Sequence, residues 1–173
     1  MRVIDEAARQ GLDLPARVAA LLHDLGKGVT PTEFWPKHHG HEGRGVALVK
    51  AVCERLRAPT ECRDLAVIVA RDHGNVHRAL ELRPATVLDL LERLDALRRP
   101  DRFEACLAAC AADYRGREGY RDRPYPQADH LRAALAAARA VDAGRIAREV
   151  APNAIPAAIR QARIGAISAV VKS

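Results

Sequence analysis

Aromatic side chains are scarce in this sequence: two Phe, one Trp and three Tyr make up 3% of 173 residues. A core short of aromatics has to be filled by Ala, Leu, Val and Ile. Abundant Ala and Leu with few β-branched runs disfavours sheet and predicts an all-α fold. No apolar run approaches the length that spans a bilayer, so a membrane helix is not expected. The four cysteines, Cys53, Cys62, Cys106 and Cys110, make no Cys-x-x-Cys pair. Cys106 and Cys110 stand one helical turn apart and read as reduced thiols facing a core, as is common in cytosolic proteins. Nothing at the start of the chain reads as a secretory leader, so a soluble, cytoplasmic protein is expected. Internal repeats and low-complexity tracts are also lacking, which argues against a solenoid or a disordered tail.

What is present is a globular composition, 49% hydrophobic and 29% charged, in a length that fits one domain or one domain with a tail. The formal charge is +6 and the pI about 9.5. A basic balance of this size suits a polyanion such as RNA, although an Arg-rich soluble chain would carry the same charge without that partner.

The apolar spacing is helical throughout. Residues 2–10 read as a short helix. A second helix opens at Asp13 as N-cap and carries Leu14, Val18, Leu21, Leu22 and Leu25 until Gly26 ends it. The Gly/Pro/Thr-rich stretch over about 26–40 is too long for a bare connector, which marks it as a functional candidate. Further helices are predicted over about 42–57, from Pro59-Thr60-Glu61 to about His73, over 85–98, 101–113, 127–141 and 155–171. A polar loop rich in Arg, Gly and Pro covers 114–126. The break near Ala151-Pro152-Asn153 divides a main domain, 1–150, from a tail helix, 151–173.

The chemistry is concentrated in Leu22-His23-Asp24-Leu25-Gly26-Lys27-Gly28. Adjacent His and Asp at a helix end project roughly 100° apart, so a cation between their directions can touch both. An imidazole nitrogen with a hard carboxylate oxygen suits a hydrolytic divalent metal. Lys27 after the glycine turn can reach an anionic phosphate oxygen. A Walker A loop is excluded, because its first glycine and its final Ser or Thr are missing. His38, His39 and His41 follow the loop, and His73 and His77 lie one turn apart, so six of the seven histidines fall between 23 and 77. Imidazole is the commonest metal ligand, yet His38 or His39 would serve equally as a helix cap, and His73 beside Gly74 as a helix-end cation. His130, alone on an Ala-rich helix, reads as surface. A further anionic ligand is expected from a distant helix: Asp95, which interrupts the stripe Leu94-Asp95-Ala96-Leu97, with Glu92 and Asp113 as alternatives.

These segments, taken in order, resemble the HD domain of bacterial CCA-adding enzymes. The matching text is His23 to Gly28, Thr30-Pro31, Trp35-Pro36-Lys37-His38-His39-Gly40-His41, Leu94-Asp95-Ala96, Arg98-Arg99-Pro100, Ala112-Asp113, Arg115-Gly116-Arg117, Ala162-Arg163-Ile164 and Ala166-Ile167. The Trp-Pro-x-His-His-Gly-His run is far more specific than the HD pair. The resemblance implies an HD-type helical bundle with divalent-metal (Ni, Mg or Mn) phosphohydrolase activities: 2′,3′-cyclic phosphodiesterase, 2′-nucleotidase and phosphatase. It implies tRNA 3′ ends or 2′,3′-cyclic nucleotides as partners, in tRNA processing and repair. It also implies a nucleotidyltransferase head in the same protein, whose Gly-Ser and paired-carboxylate signature is not in this sequence, and CCA addition needs that head. HD enzymes further take a first metal ligand from a histidine on the helix before the HD pair, whereas residues 1–22 contain no histidine. Either an upstream histidine or those between 38 and 77 would then complete the site.

On this reading His23, Asp24 and Asp95 hold the metal and Lys27 neutralises charge developing on the phosphoryl group. His39, His41, His73 or His77 hold a second ion or protonate the leaving 2′-oxygen. Arg98, Arg99, Arg115 and Arg117 flank the acidic candidates and are expected to contact RNA phosphates. A tRNA-binding scaffold with a vestigial centre and a free-standing HD nucleotidase are the alternatives, and a homodimer is an assembly open to any of the three.

Overall fold

A computed structural model describes residues 2–171. The described residues form nine α-helices linked by short 3-10 turns, with no strand among them: α1 (Arg2–Arg9), α2 (Leu14–Leu22), α3 (His41–Arg55), α4 (Thr60–His77), α5 (Pro84–Arg93), α6 (Pro100–Arg115), α7 (Pro126–Ala140), α8 (Ala143–Glu149) and α9 (Ile155–Val170). None is long and apolar enough to cross a membrane. The all-α expectation holds. The chain forms two compact units, Met1–His77 with Asp101–Tyr125, and Arg78–Pro100 with Pro126–Ser173.

In the first unit, α2 starts where expected: the Asp13 side chain accepts from Ala16 N at 3.0 Å, and Pro15 sits in the first turn, where its missing N–H is no loss. Its buried face is Leu22 with Ala16, Ala19 and Ala20, small residues that let α2 lie close to α4. α4 buries Cys62, Leu65, Ala66, Ile68, Val69, Ala70 and Val76, and it runs on to His77 rather than stopping near His73. Gly74 does not end the helix, because it faces α3: a Cβ there would stand 2.9 Å from Glu42 Oε1. On α6, Phe103, Cys106, Leu107 and Cys110 are fully buried, and all four cysteines are free and buried, as expected of reduced core thiols.

The expected loop 26–40 is compact. Short 3-10 turns occupy Leu25–Val29 and Thr32–Phe34, and the first lies against α3. Gly26 permits that contact: a Cβ on it would fall 1.9 Å from the His41 carbonyl oxygen and 2.7 Å from Gly45 N. The glycine is therefore a point of backbone-to-backbone approach as well as a helix terminator.

In the second unit, α5 buries Val87, Leu88, Leu90 and Leu91, and packs on α7 and α9. It ends at Arg93 rather than about 98, because Asp95 adopts φ +55 and turns the chain in the left-handed manner of a helix terminus. α9 anchors through Ile167, fully buried, and through Arg160, which reaches Asp89 at 2.7 Å and Glu92 at 3.4 Å. The segment after 150 thus packs within this second unit. α8 escapes the sequence reading: none of its residues is buried, so no apolar stripe announces it, and the Asp142 cap onto Arg145 N at 2.8 Å holds its start.

Candidate metal centre

The first unit draws five of the histidine and aspartate candidates into one place. His23 forms the C-cap of α2 and Asp24 follows it; His41 opens α3; His73 lies on α4, one turn before His77; and Asp113 comes from α6. His23, His73 and Asp113 are buried, and Asp24 retains about a third of its exposure. The ring centroids of His23 and His73 are 5.0 Å apart and those of His41 and His73 5.3 Å. Ligand atoms of His23, Asp24 and His73 all lie within 4.8 Å of one another, a spacing that can hold a metal ion.

The backbone fixes how these rings present themselves. His23 Nδ1 donates to Ala20 O at 2.8 Å, His41 Nδ1 to His38 O at 3.0 Å, and His73 Nδ1 to Val69 O at 3.0 Å. A carbonyl oxygen only accepts, so each Nδ1 carries the proton and each Nε2 of a neutral ring offers a lone pair. Those Nε2 atoms converge. His41 Nε2 and His73 Nε2 are 3.3 Å apart, and they lie 3.2 and 3.6 Å from Asp24 Oδ1. His23 Nε2 faces Asp24 Oδ2 at 3.2 Å and Asp113 Oδ1 at 3.4 Å. Asp24 Oδ1 is buried and accepts a hydrogen bond from neither imidazole beside it. Lone pairs and a carboxylate oxygen facing one another repel unless a cation lies among them. Nitrogen and oxygen donors of this kind, with the outer ring nitrogens fixed by carbonyls, fit a divalent metal.

The charges point the same way. Burial pulls the His23 imidazolium down, but hydrogen bonds to Asp113 and Asp24 outweigh it and push its pKa up to about 10. Burial would raise both carboxyls; His23 with Lys27 holds Asp24, and His23 with His77 holds Asp113, well below the usual carboxylate range. His73 moves down, through burial and the charge on His23. The buried Asp113 and the part-buried Asp24 carboxylates thus demand positive charge between them, a role that a proton on His23 or a metal ion can fill.

Lys27 Nζ rests on Asp24 Oδ2 at 2.6 Å, so its charge is directed at the carboxylate. His77 Nε2 donates to Asp113 Oδ2 at 2.9 Å and its Nδ1 accepts from the Tyr125 hydroxyl at 2.8 Å. His39 is exposed, and its carbonyl receives Arg44 at 2.6 Å. Arg117 is exposed and lies 3.4 Å from Asp113 Oδ2, while Arg115 reaches Gln10 and the Arg123 carbonyl. A groove of about 500 Å³ runs beside both, lined also by Arg2, Arg9 and Arg121 and by the acids Asp5, Glu6, Glu118 and Asp122.

Asp95, the first choice for the anionic ligand, belongs to the second unit, where it accepts from Arg98 Nε at 2.6 Å and shapes the end of α5. Glu92 lies in the same unit with Arg160. Arg98 and Arg99 are exposed there, and both their amides donate to the Asp95 carbonyl. An acid inside an apolar stripe therefore marks a helix terminus in this case, and Asp113, the alternative, is the one against His23. Tyr125 was missed: it follows a proline in a polar loop, and no spacing ties it to His77, 48 residues earlier.

Imidazoles and carboxylates that converge in one helical unit can hold a divalent metal of the kind used in hydrolysis. Residues 1–117 match the HD domain family, and the chain belongs to it; HD domains form a superfamily of metal-dependent phosphohydrolases that bind divalent metals. Among named relatives, the chain is 57% identical over 173 residues to the multifunctional CCA protein of Burkholderia mallei, a match covering 99% of this chain and 42% of that protein. It is 58% identical over 164 residues to the multifunctional CCA protein of Nitrosospira multiformis, covering 92% of this chain and 40% of that one. The chain thus spans about two fifths of the length of the curated relatives it matches. No solved structure matches it.

Proposed function

We propose that this chain is the phosphohydrolase part of a protein that matures or repairs tRNA 3′ ends, hydrolysing 2′,3′-cyclic phosphates, 2′-nucleotides and phosphomonoesters. The observation that carries it is the convergence of three Nε2 atoms and two carboxylates, with each Nδ1 tied to a carbonyl. His23, Asp24, His41, His73 and Asp113 are the residues that would hold a divalent ion, Ni, Mn or Mg. Such an ion supplies Lewis acidity to a phosphoryl group when bound. The chain's own groups do the rest. Lys27 balances the Asp24 carboxylate. His77 holds a proton at Nε2 against Asp113, and Tyr125 fixes the ring by donating to Nδ1. Hydrolysis of a cyclic substrate forms one P–O bond from water and breaks one to a ribose oxygen, which takes a proton and leaves a monoester. Arg115 and Arg117 in the first unit, and Arg98 and Arg99 in the second, are the candidates for RNA phosphates. The relatives' name as CCA proteins and the +6 charge support the tRNA assignment.

The test is hydrolysis of 2′,3′-cyclic adenosine monophosphate by the metal-stripped chain after adding back Ni, Mn or Mg. Production of a monoester only with added metal, and its loss in Asp24→Asn, is expected. Turnover that survives stripping and that substitution would overturn the proposal.

A further inference from the structure

Six aromatic residues serve the whole chain, yet two of them stand together on the surface. Trp35 is 60% exposed and Phe34 38% exposed, next to each other in the segment that joins Asp24 to His41. Trp35 is held there. Its indole N–H donates to the Thr30 carbonyl at 3.1 Å, and Thr30 is itself buried with its hydroxyl on Gly26 O at 3.0 Å. The indole has therefore met its hydrogen bond while leaving its rings to solvent, the reverse of a tryptophan seeking a core.

A line of contacts ties this ring to the metal centre. Trp35 lies against His38, with ring centroids 5.7 Å apart. The His38 carbonyl orients His41, whose Nε2 stands 3.2 Å from Asp24 Oδ1. Gly26, at the other stem of the segment, touches the His41 backbone. His38 is in the left-handed region at φ +50, unusual for a residue with a side chain, and its Nδ1 is shielded from solvent with no hydrogen-bond partner. Arg44 lies 5.7 Å over the Phe34 ring, and Lys37 is exposed beside the pair. The surroundings are thus a fixed aromatic face and an unused ring nitrogen on a segment with both ends in the candidate centre, with the cations Lys37 on that segment and Arg44 on α3.

We propose that Trp35 is a nucleobase-stacking subsite, which takes the base of a nucleotide whose phosphate lies at the His23–Asp24–His41–His73 centre. The inference rests on the phosphohydrolase reading above and adds the residue that would hold the base of its nucleotide substrates. An indole face accepts every base, so the subsite selects for the presence of a base and not for its identity.

Trp35 is the single tryptophan, so fluorescence excited at wavelengths that tyrosine does not absorb reports this position alone. The full chain is titrated with 2′,3′-cyclic adenosine monophosphate and, separately, with 2-glycerophosphate, which has no base, each corrected against free tryptophan amide. A saturable quench with the nucleotide and none with the glycerol ester is expected. In kinetics, Trp35→Ala should cut the preference for the nucleotide over 2-glycerophosphate by about 10-fold or more, mostly through KM, and Trp35→Phe should retain most of it. Hydrolysis without a quench, or a preference unmoved in Trp35→Ala of native helicity, overturns the subsite and leaves the phosphohydrolase reading standing. A quench without hydrolysis under any metal does the opposite. Fluorescence that changes with protein concentration and not with nucleotide assigns Trp35 to contact between copies, which also overturns the proposal.

Discussion

The two units differ in what they bury beside their apolar cores. In the second, Ala- and Leu-rich faces pack in the ordinary way, and charges stay at the surface, as where Arg160 spans Asp89 and Glu92 at about 40% exposure. In the first, histidines and carboxylates are buried together, and two backbones meet at a glycine. Burying that polar cluster is costly unless its charges are matched. The first unit is therefore the one whose arrangement is explained by chemistry rather than by packing alone, and substitutions should separate the two.

The largest effect is expected at the centre itself. Asp24→Asn or His73→Ala should reduce metal affinity by about 100-fold or more, since even supporting residues around a metal commonly cost about 10- to 100-fold. Metal analysis and calorimetric titration check this, with circular dichroism confirming helix. Full metal occupancy in both variants would assign the cluster to structure alone.

Glycine-to-alanine exchanges sharpen the contrast in stability. At Gly26 the new Cβ would lie 1.9 Å from the His41 carbonyl oxygen, so two backbones must separate. A loss of about 3 kcal/mol is expected in urea unfolding, with weakened metal binding, because His41 moves with α3. Gly165, on α9 of the second unit, faces open space. Ala there should stabilise by about 0.5–1 kcal/mol, through helix propensity alone. Equal effects at the two positions would remove the distinction drawn here.

Much of the fold was legible and the site partly so. Asp13 and the Leu/Ala periodicity announce α2, and density of histidine with the His23-Asp24 pair points to the unit in which these imidazoles converge. The choice between Asp95 and Asp113 was not readable, because an acid in an apolar stripe looks the same whether it faces a histidine or ends a helix. They differ in tertiary placement: Asp95 makes a left-handed turn and meets Arg98, while Asp113 faces His23 and His77. Gly26 reads as a stop signal, and its close approach to His41 is a tertiary fact without a local trace. Tyr125 and α8 lack any periodic signal, one being a lone loop residue and the other an exposed helix held by its cap.

A smaller effect belongs to Glu6, buried at α1 in the first unit, where it accepts from Arg9 at 2.7 and 3.0 Å and from Gln10 at 2.6 Å. The Arg9 hydrogen bond, against the opposing effect of burial, lowers its pKa from 4.5 to about 2. Because the folded value lies below the unfolded one, its contribution is fully present above about pH 4.5 and is lost as pH falls towards 2. Glu6→Gln should therefore be less stable than the parent at pH 7 and converge with it near pH 2, as followed by thermal unfolding across that range. A constant gap would mean that packing, not charge, sets the cost.

The smallest effect should come from the surface counterpart in the second unit. Arg160 meets Asp89 at 2.7 Å and Glu92 at 3.4 Å, joining α9 to α5, but all three side chains are about two fifths exposed. Water screens such pairs, and ordering a long arginine offsets part of the attraction, so the net gain is about 0.5 kcal/mol. Arg160→Met keeps the length of the aliphatic stem and removes the charge, and it should lower stability by about that amount at low salt. The difference should vanish near 1 M salt, where screening acts over about 3 Å. A loss well above 1 kcal/mol, or one indifferent to salt, would show that the second unit also depends on a specific charge network, and the contrast between the units would then fail on that side.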